Sequence, residues 1–260
     1  MTFTDTHCHI HEASYPEADA VRLRAVRQGV TRLLCVGTDE QTSREAAEFA
    51  GKHENVWASV GLHPHDATHG ADAVHILNQL LQIDKNTHIG KIVAIGECGL
   101  DYFYDNSPRE TQIKMLEAQL QLARESELPV IFHVREAFDD FWPIFDNFTG
   151  MLGVLHSFTD TVDNLDKALS RNLYIGVNGI STFTKSDDQR AMFASIPLTN
   201  LLLETDAPFL TPIPYRGKVN EPAFVTHIAH HIANLQAINL EELSRATERN
   251  ATQLFFKTNN

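Results

Sequence analysis

Short runs of mostly apolar, β-branched residues recur along the chain and alternate with longer amphipathic segments. Two of them, at 130–132 and 201–203, are apolar at every position, which is typical of parallel strands buried on both faces. The pattern predicts eight strands, at residues 4–10, 32–38, 56–62, 92–100, 129–134, 153–158, 173–177 and 201–206.

The segments between these runs have helical periodicity. The clearest example carries an apolar stripe at spacings of three and four, formed by Ile113, Leu116, Leu120 and Ala123. Ser107, followed by Pro108 and by Glu110 three residues after the serine, predicts the start of this helix, with Ser107 as its cap. Asn239 predicts the start of the last helix in the same way.

Strand alternating with helix eight times favours parallel βαβ units closed into a TIM-type (β/α)₈ barrel of the α/β class. An open doubly wound sheet is the alternative, but such a sheet usually has a glycine-rich loop after its first strand, and residues 11–14 contain no glycine. No linker-like or low-complexity stretch divides the chain, so we expect one domain over residues 1–260.

Composition narrows the function classes. The 260 residues are 43% hydrophobic, enough for a large core, and the net charge is −13. That charge argues against non-specific binding to nucleic acid or to anionic membranes, although bound cations can reverse the local field at a site. The first residues lack the basic and apolar regions of a leader, so we expect a cytoplasmic protein with no membrane partner. Cys8, Cys35 and Cys98 form no C-x-x-C pair and are expected to be reduced, buried thiols.

Ligand-type side chains end five of the predicted strands. Because residues i and i+2 of a strand point to the same side, His7 and His9 form a chelating pair at the end of the first strand. Asp5 shares that face and could orient a ligand. The other strand-end residues of ligand type are Glu97, His133, His156 and Asp206. Active sites of barrel enzymes lie at the carboxyl ends of the strands, so the six residues together predict a metal centre there.

Each of these residues has a structural alternative. A single strand-end histidine is more often a hydrogen-bonded structural residue than a ligand, and Asp206 could cap the helix that follows it. The metal hypothesis therefore depends on the joint pattern.

The motifs of the chain resemble those of the TatD-type metal-dependent deoxyribonucleases, within the amidohydrolase-like barrel superfamily. The motifs that carry the resemblance are DTHCH at 5–9, GLHPH at 61–65, GECGLD at 96–101, His133, HSF at 156–158, LETDAP at 203–208, NEP at 220–222, and Asn250-Ala251 with Leu254-Phe255. The chain departs from the usual pattern at Val219, where a basic residue is common, and at Val134, where cysteine or serine often follows the histidine.

The resemblance implies a ligand assignment. His7, His9 and Asp206 would hold one divalent ion, His133 and His156 a second, and Glu97 would bridge the two. The implied activity is phosphodiester hydrolysis, most simply a 3′–5′ exonuclease acting on DNA, in which a hydroxide activated by both metals attacks the phosphorus. Asp206 would serve as general base, and His63 would hydrogen-bond the phosphate or protonate the leaving group. His63 could equally stabilise the turn at Pro64.

Candidate substrate contacts surround this set. Arg135 and Arg216 have the planar guanidinium that matches phosphate, and Lys218 adds a charge. Tyr102, with Phe103 and Tyr104, could stack on a base. Salt bridges, and an aromatic loop packed on the barrel, are the structural alternatives for these residues.

Two other functions stay open at this point. One is a hydrolase of another ester, a lactone or an amide on the same barrel; many such enzymes have a carboxylated lysine where this chain has Glu97. The other is a non-catalytic metal-binding protein. Mixed histidine and carboxylate ligands suit Zn²⁺, Mn²⁺, Fe²⁺, Ni²⁺ or Co²⁺, while Mg²⁺ prefers oxygen. The sequence does not specify the oligomeric state, and a monomer is plausible.

Overall fold

The computed structural model describes residues 1–13, 15, 17–104 and 106–256. Within these residues, eight strands form one sheet in sequential order, β1 to β8, and alternate with helices. The strands are β1 Phe3–Cys8, β2 Val30–Val36, β3 Val56–Val60, β4 Ile92–Asp101, β5 Val130–Arg135, β6 Gly153–Leu155, β7 Tyr174–Val177 and β8 Leu201–Leu203. The predicted fold class, a (β/α)₈ barrel, is confirmed.

The helices cover the amphipathic segments. They are α1 Ala18–Arg27, α2 Glu40–Lys52, α3 Gly70–Thr87, α4 Arg109–Ser126, α5 Phe138–Asp146, α6 Val162–Ser170, α7 Ile180–Phe183, α8 Asp187–Ser195, α9 Val225–Leu235 and α10 Leu240–Phe255. Short 3-10 helices span Pro64–His69 and Pro222–Phe224. None of the helices in the described residues is both long and apolar enough to cross a membrane.

The predicted cap of α10 is confirmed and that of α4 is wrong. The Asn239 side chain accepts a hydrogen bond from Glu242 N at 2.8 Å, as an N-cap does. In α4 the cap position is Pro108, and no side chain caps the helix. Ser107 instead donates its hydroxyl to His65 O at 2.7 Å, because a loop carbonyl lies within its reach. The serine therefore ties two loops together.

By its internal contacts the chain divides into two compact units, residues 35–156 and residues 1–34 with 157–260. In the first of these units β3, β4, β5 and β6 pair in parallel. The register sets Gly99 beside His133, and a Cβ on Gly99 would lie 1.8 Å from His133 O. Only glycine allows β4 and β5 to run this close beside the candidate ligand. Between β5 and α5, the core of this unit includes the aromatic group of Phe132, Phe141 and Phe145.

In the other unit β7 pairs with β8, and β1 is joined to the chain just after β8. Asp206 N donates to His7 O at 2.8 Å, and His9 N donates to Ala207 O at 2.7 Å. Helix α10 packs on both β1 and β8. The backbone that carries the first two candidate ligands is thus bonded directly to the backbone that carries Asp206.

The three cysteines are free and buried, as expected. Cys8 points away from its histidine neighbours and donates its thiol to Leu34 O at 3.5 Å. Burial, followed by the charge of Glu97, raises the pKa of the Cys98 thiol. These side chains pack in the core and have no part in the candidate chemistry.

Candidate metal centre

Three ligand-type side chains converge in the unit that contains β1 and β8, and we call them the first cluster: His7, His9 and Asp206. The two histidine Nε2 atoms are 3.1 Å apart. Asp206 Oδ1 lies 3.6 Å from His7 Nε2 and 3.4 Å from His9 Nε2. His7 is fully buried and His9 is 4% exposed. Two imidazole nitrogens and a carboxylate oxygen facing one another at this spacing are the donor set of a divalent cation.

The two parts of the first cluster have different backbone origins. His7 is the penultimate residue of β1 and His9 follows the strand, so their shared direction comes from strand alternation. Asp206 lies three residues beyond β8, where the chain turns through a left-handed conformation with φ 58°. Asparagine and aspartate adopt this conformation more readily than other non-glycine residues.

A buried carboxyl, Asp5, anchors both backbones. Its Oδ1 accepts from His7 N at 3.3 Å and from Thr205 N at 2.8 Å, and its Oδ2 lies 2.5 Å from Thr205 Oγ1. Burial raises the pKa of Asp5 to about 8, although the hydrogen bonds from Thr205 and His7 act in the opposite direction. In these hydrogen bonds Asp5 orients the main chain on either side of the cluster, which differs from the predicted contact with a ligand side chain.

Asn220 secures the turn that follows. Its Nδ2 donates to Thr205 O at 2.8 Å and to Phe209 O at 2.5 Å, and the residue is fully buried. The two carbonyls flank the Asp206 turn, so the NEP motif contributes to the site by fixing a loop.

A second cluster of ligand-type side chains lies in the unit formed by residues 35–156, and it comprises Glu97, His133, His156 and His63. Glu97 Oε1 is 2.9 Å from His133 Nδ1 and 3.6 Å from His156 Nε2. It is also 3.6 Å from His63 Nε2. Glu97 is 3% exposed and is thus an almost fully buried carboxylate surrounded by imidazoles.

Asp101 orients His133. Its Oδ2 lies 2.9 Å from His133 Nε2 and 3.0 Å from His65 Nε2, so it can accept an N–H from each ring. A proton held on His133 Nε2 leaves the Nδ1 lone pair directed at the Glu97 side. This is the tautomer that a metal ligand needs.

The titration of this pair follows from the same contacts. Burial alone would raise the pKa of Asp101, but hydrogen bonds from His133, Tyr104 N and His65 together hold it well below its usual range. For His133 burial lowers the pKa, and the hydrogen bonds to Asp101 and Glu97 outweigh burial and raise it. Asp101 is therefore a carboxylate at neutral pH and a permanent acceptor for the two rings.

His63 stabilises the turn at Pro64 and also faces the second cluster. Its Nδ1 accepts from His65 N at 3.2 Å at the start of the 3-10 helix, which is the turn-stabilising role. This bond places the ring proton on Nε2, the atom that faces the second cluster. Burial, and then the neighbouring His133, hold the pKa of His63 well below its usual range.

Of the candidate substrate contacts, Arg135 and Arg216 are exposed and each lies against an aromatic ring, while Tyr102 is half-buried. The guanidinium of Arg135 lies 3.8 Å from the centre of the Phe103 ring, and that of Arg216 lies 3.9 Å from the Phe183 ring. Arg216 also donates to Thr211 O at 2.9 Å. Tyr102 donates its hydroxyl to Asp140 Oδ2 at 2.8 Å and lies under the guanidinium of Arg109. Among the described residues neither arginine forms an ion pair with an acidic side chain, and both stay predicted substrate contacts.

Sequence reasoning assigned no role to Asp101. For His65, the last residue of the GLHPH motif, it left two alternatives: a residue that supports a ligand, or a solvated side chain. A signal for Asp101 was present: it has the same parity as Glu97 on β4, so both side chains leave the strand on one side. Glu204 was also missed; it is buried, and its Oε1 accepts from Ser157 N at 2.6 Å. These residues hold ligands or loops in place, and their type alone does not distinguish them from other acidic residues.

A parallel α/β barrel whose strand ends carry buried histidines and carboxylates defines the class of metal-dependent hydrolases. The family model described as TatD related DNase matches residues 4–256, and the chain belongs to this family. It is a metal-dependent hydrolase, as the sequence predicted.

Individual relatives agree with this assignment. The chain is 35% identical over 254 residues to the Bacillus subtilis protein named uncharacterized metal-dependent hydrolase YabD, covering 96% of this chain and 98% of the relative. It is 36% identical over 245 residues to the 3′-5′ ssDNA/RNA exonuclease TatD of Citrobacter rodentium, covering 91% of each chain. The crystal structure of the TatD homologue YJJV from Escherichia coli superposes with a TM-score of 0.91 at 29% identity, covering 98% of each chain.

Proposed function

We propose that this protein hydrolyses phosphodiester bonds in single-stranded nucleic acid, as a 3′–5′ exonuclease that acts mainly on DNA. The observation that carries the proposal is the first cluster, in which His7 Nε2, His9 Nε2 and Asp206 Oδ1 lie within 3.6 Å of one another in a buried setting. The relative from Citrobacter rodentium named as an ssDNA/RNA exonuclease supports the choice of substrate.

The donor sets fit divalent cations. Each cluster combines imidazole nitrogen with carboxylate oxygen, a mixture that suits Zn²⁺, Mn²⁺, Fe²⁺, Co²⁺ or Ni²⁺ better than Mg²⁺. Our proposal is that His7, His9 and Asp206 hold one ion, that His133 and His156 hold a second, and that Glu97 is shared. When bound, such ions polarise phosphoryl oxygens and lower the pKa of a water ligand to about 7.

The protein side chains have distinct roles in the proposed reaction. Asp206 accepts the proton of the attacking water through its carboxylate, which is 14% exposed and thus reached from solvent. His63 donates a hydrogen bond from Nε2 to a non-bridging phosphate oxygen, since its Nδ1 already accepts from His65 N. Arg135 places its guanidinium near the phosphates on the 5′ side of the scissile bond.

The test is metal-dependent digestion of a 3′-end-labelled single-stranded oligonucleotide. Protein stripped with a chelator should be inactive and should regain activity with one or more of the metals restored in turn. Glu97→Ala and Asp206→Ala should abolish the restored activity while keeping the circular dichroism spectrum of the wild type. Glu241→Ala, which removes an exposed carboxylate on α10, is the matched control and should keep full turnover.

The same assay decides between the alternatives. Full turnover in Glu97→Ala or Asp206→Ala, with an unchanged metal response, would refute the mechanism. Turnover of lactones, amides or aryl phosphate esters without cleavage of the oligonucleotide would favour another hydrolase of the same barrel. Bound metal with no turnover of the oligonucleotide or of any of these other substrates would favour a non-catalytic metal-binding protein.

A further inference from the structure

Two exposed aromatic side chains, Phe103 and Tyr104, adjoin the second cluster. Their exposed fractions are 50% and 46%, which is high for rings of this size. They follow β4 directly, and the Tyr104 ring contacts the ring of His65 edge to face at 5.4 Å. His65 in turn shares the Asp101 carboxylate with His133. The aromatic pair is therefore continuous with the candidate metal ligands.

Hydrogen bonds to the backbone and contacts of the side chains hold Phe103 and Tyr104 in place. Asp101 Oδ1 accepts hydrogen bonds from Phe103 N and Tyr104 N, both at 3.0 Å. The two rings meet edge to face at 4.8 Å. The guanidinium of Arg135 lies 3.8 Å from the centre of the Phe103 ring and 4.9 Å from that of Tyr104. A ligand that stacks on rings fixed in this way does not have to order them first.

We propose that Phe103 and Tyr104, supported by Arg135, form a stacking platform for the unpaired bases of a single-stranded nucleic acid bound at the candidate metal centre. This inference rests on the proposed function and adds a binding site for the bases to it. Aromatic side chains bind single strands because every base has a π-face, and in a duplex neighbouring base pairs cover those faces. The platform thus favours single strands and frayed ends over paired ends.

Charge supports this occupant over a purely electrostatic mode of binding. The chain has a net charge of −13, so a polyanion gains little from the protein as a whole. Stacking does not depend on net charge, and Arg135 supplies a local cation beside the rings. Tyr102 is less suited to the role, because it is only half-exposed and its hydroxyl donates to Asp140 Oδ2. We therefore assign stacking to Phe103 and Tyr104.

The test compares Phe103→Leu and Tyr104→Leu with the wild type and with Ile89→Ala. The leucine variants keep an apolar side chain and remove the ring, while Ile89 is an equally exposed apolar residue between α3 and β4. On a single-stranded oligonucleotide at least one leucine variant should raise KM by roughly 5- to 150-fold, the range measured for loss of one base–aromatic stack. Ile89→Ala should match the wild type. On a strand whose 3′-terminal nucleotides are abasic, the KM of the leucine variants should approach that of the wild type.

A binding measurement keeps this test independent of catalysis. A phosphorothioate single strand with 2-aminopurine at its 3′ end should lose fluorescence on the wild-type protein, because stacking quenches the base, and should lose less on the leucine variants. Absence of cleavage by the wild type would contradict the proposed function. Cleavage together with unchanged KM in both leucine variants, or equal quenching in all proteins, would overturn the stacking platform and leave the proposed function intact.

Discussion

Replacement of Asp101 by asparagine should weaken metal binding, although Asp101 is not itself one of the candidate metal ligands. In the wild type Oδ1 accepts from Phe103 N and Tyr104 N, and Oδ2 faces the Nε2 atoms of His65 and His133. An asparagine can keep the two backbone bonds through its own Oδ1. Its amide nitrogen is a donor, however, and cannot accept the N–H of either ring.

The Asp101→Asn substitution changes the preferred tautomer of His133. With a donor opposite Nε2, the ring is most stable with its proton on Nδ1, where Glu97 Oε1 accepts it at 2.9 Å. That tautomer has no lone pair on the atom that faces Glu97, so the ring must return to the other tautomer before it can coordinate an ion. The penalty is the loss of a charge-assisted hydrogen bond, about 1.5–3 kcal/mol. A loss of 10- to 100-fold in metal affinity, typical for removal of the partner of a ligating histidine, is about 1.4–2.8 kcal/mol.

The measurement is a competitive titration of chelator-treated protein with Zn²⁺ against a fluorescent indicator. Asp140→Asn is the matched control, because Asp140 accepts the Tyr102 hydroxyl from the same loop at 2.8 Å. We expect the Asp101 variant to lose affinity at the site that contains His133 and the Asp140 variant to bind as the wild type does. Affinities within twofold of the wild type in the Asp101 variant would refute the tautomer argument.

Two further predictions concern stability. Asn220→Ala should lower the free energy of unfolding by about 1–3 kcal/mol, because the buried carbonyl of Thr205 and the partly buried carbonyl of Phe209 lose their donor. An unchanged urea midpoint at equal m-value would contradict this. The hydrogen bond to Glu40 raises the pKa of the partly exposed His69, so this pair stabilises the fold below about pH 6.5 and its contribution disappears as the pH rises through the raised value. Glu40→Gln should therefore cost about 0.5 kcal/mol more near pH 6 than near pH 9, and an equal cost at both values would contradict the assignment.

The existence of the strands could be predicted from sequence, but several of their ends could not. Predicted strands at 153–158 and 201–206 end at Leu155 and Leu203. In the second case the ladder stops because the chain turns away, and Asp206 adopts a positive φ. The residue types give a mixed signal at that point, since glutamate and aspartate are depleted in strands while the threonine between them is a good strand former.

In the candidate site, too, some features could be predicted from the sequence and others could not. His7 and His9 could be placed together from the period of two alone, and their Nε2 atoms are 3.1 Å apart. Asp206 reaches the same pair through a turn and a loop anchored by Asn220, which are tertiary features. The sequence predicted that ligand-type residues end the strands, while the distances depend on contacts between residues far apart in the chain.

Asp101 explains why residue type predicts ligands better than it predicts the residues that orient them. A ligand needs a donor atom, so histidine, aspartate and glutamate at strand ends are recognisable from sequence. An orienting residue needs only a position from which one carboxylate oxygen reaches a ring nitrogen. In the sequence such a residue cannot be distinguished from the many exposed aspartates and glutamates. Asp101 is distinguished by being 1% exposed at the end of β4 while binding two imidazoles and two backbone N–H groups. Because the same carboxylate fixes the tautomer of His133 and the backbone of the aromatic pair, its complete removal in Asp101→Ala should weaken metal binding and base stacking together, whereas Asp101→Asn should weaken metal binding alone. Substitutions at Phe103 should change stacking alone.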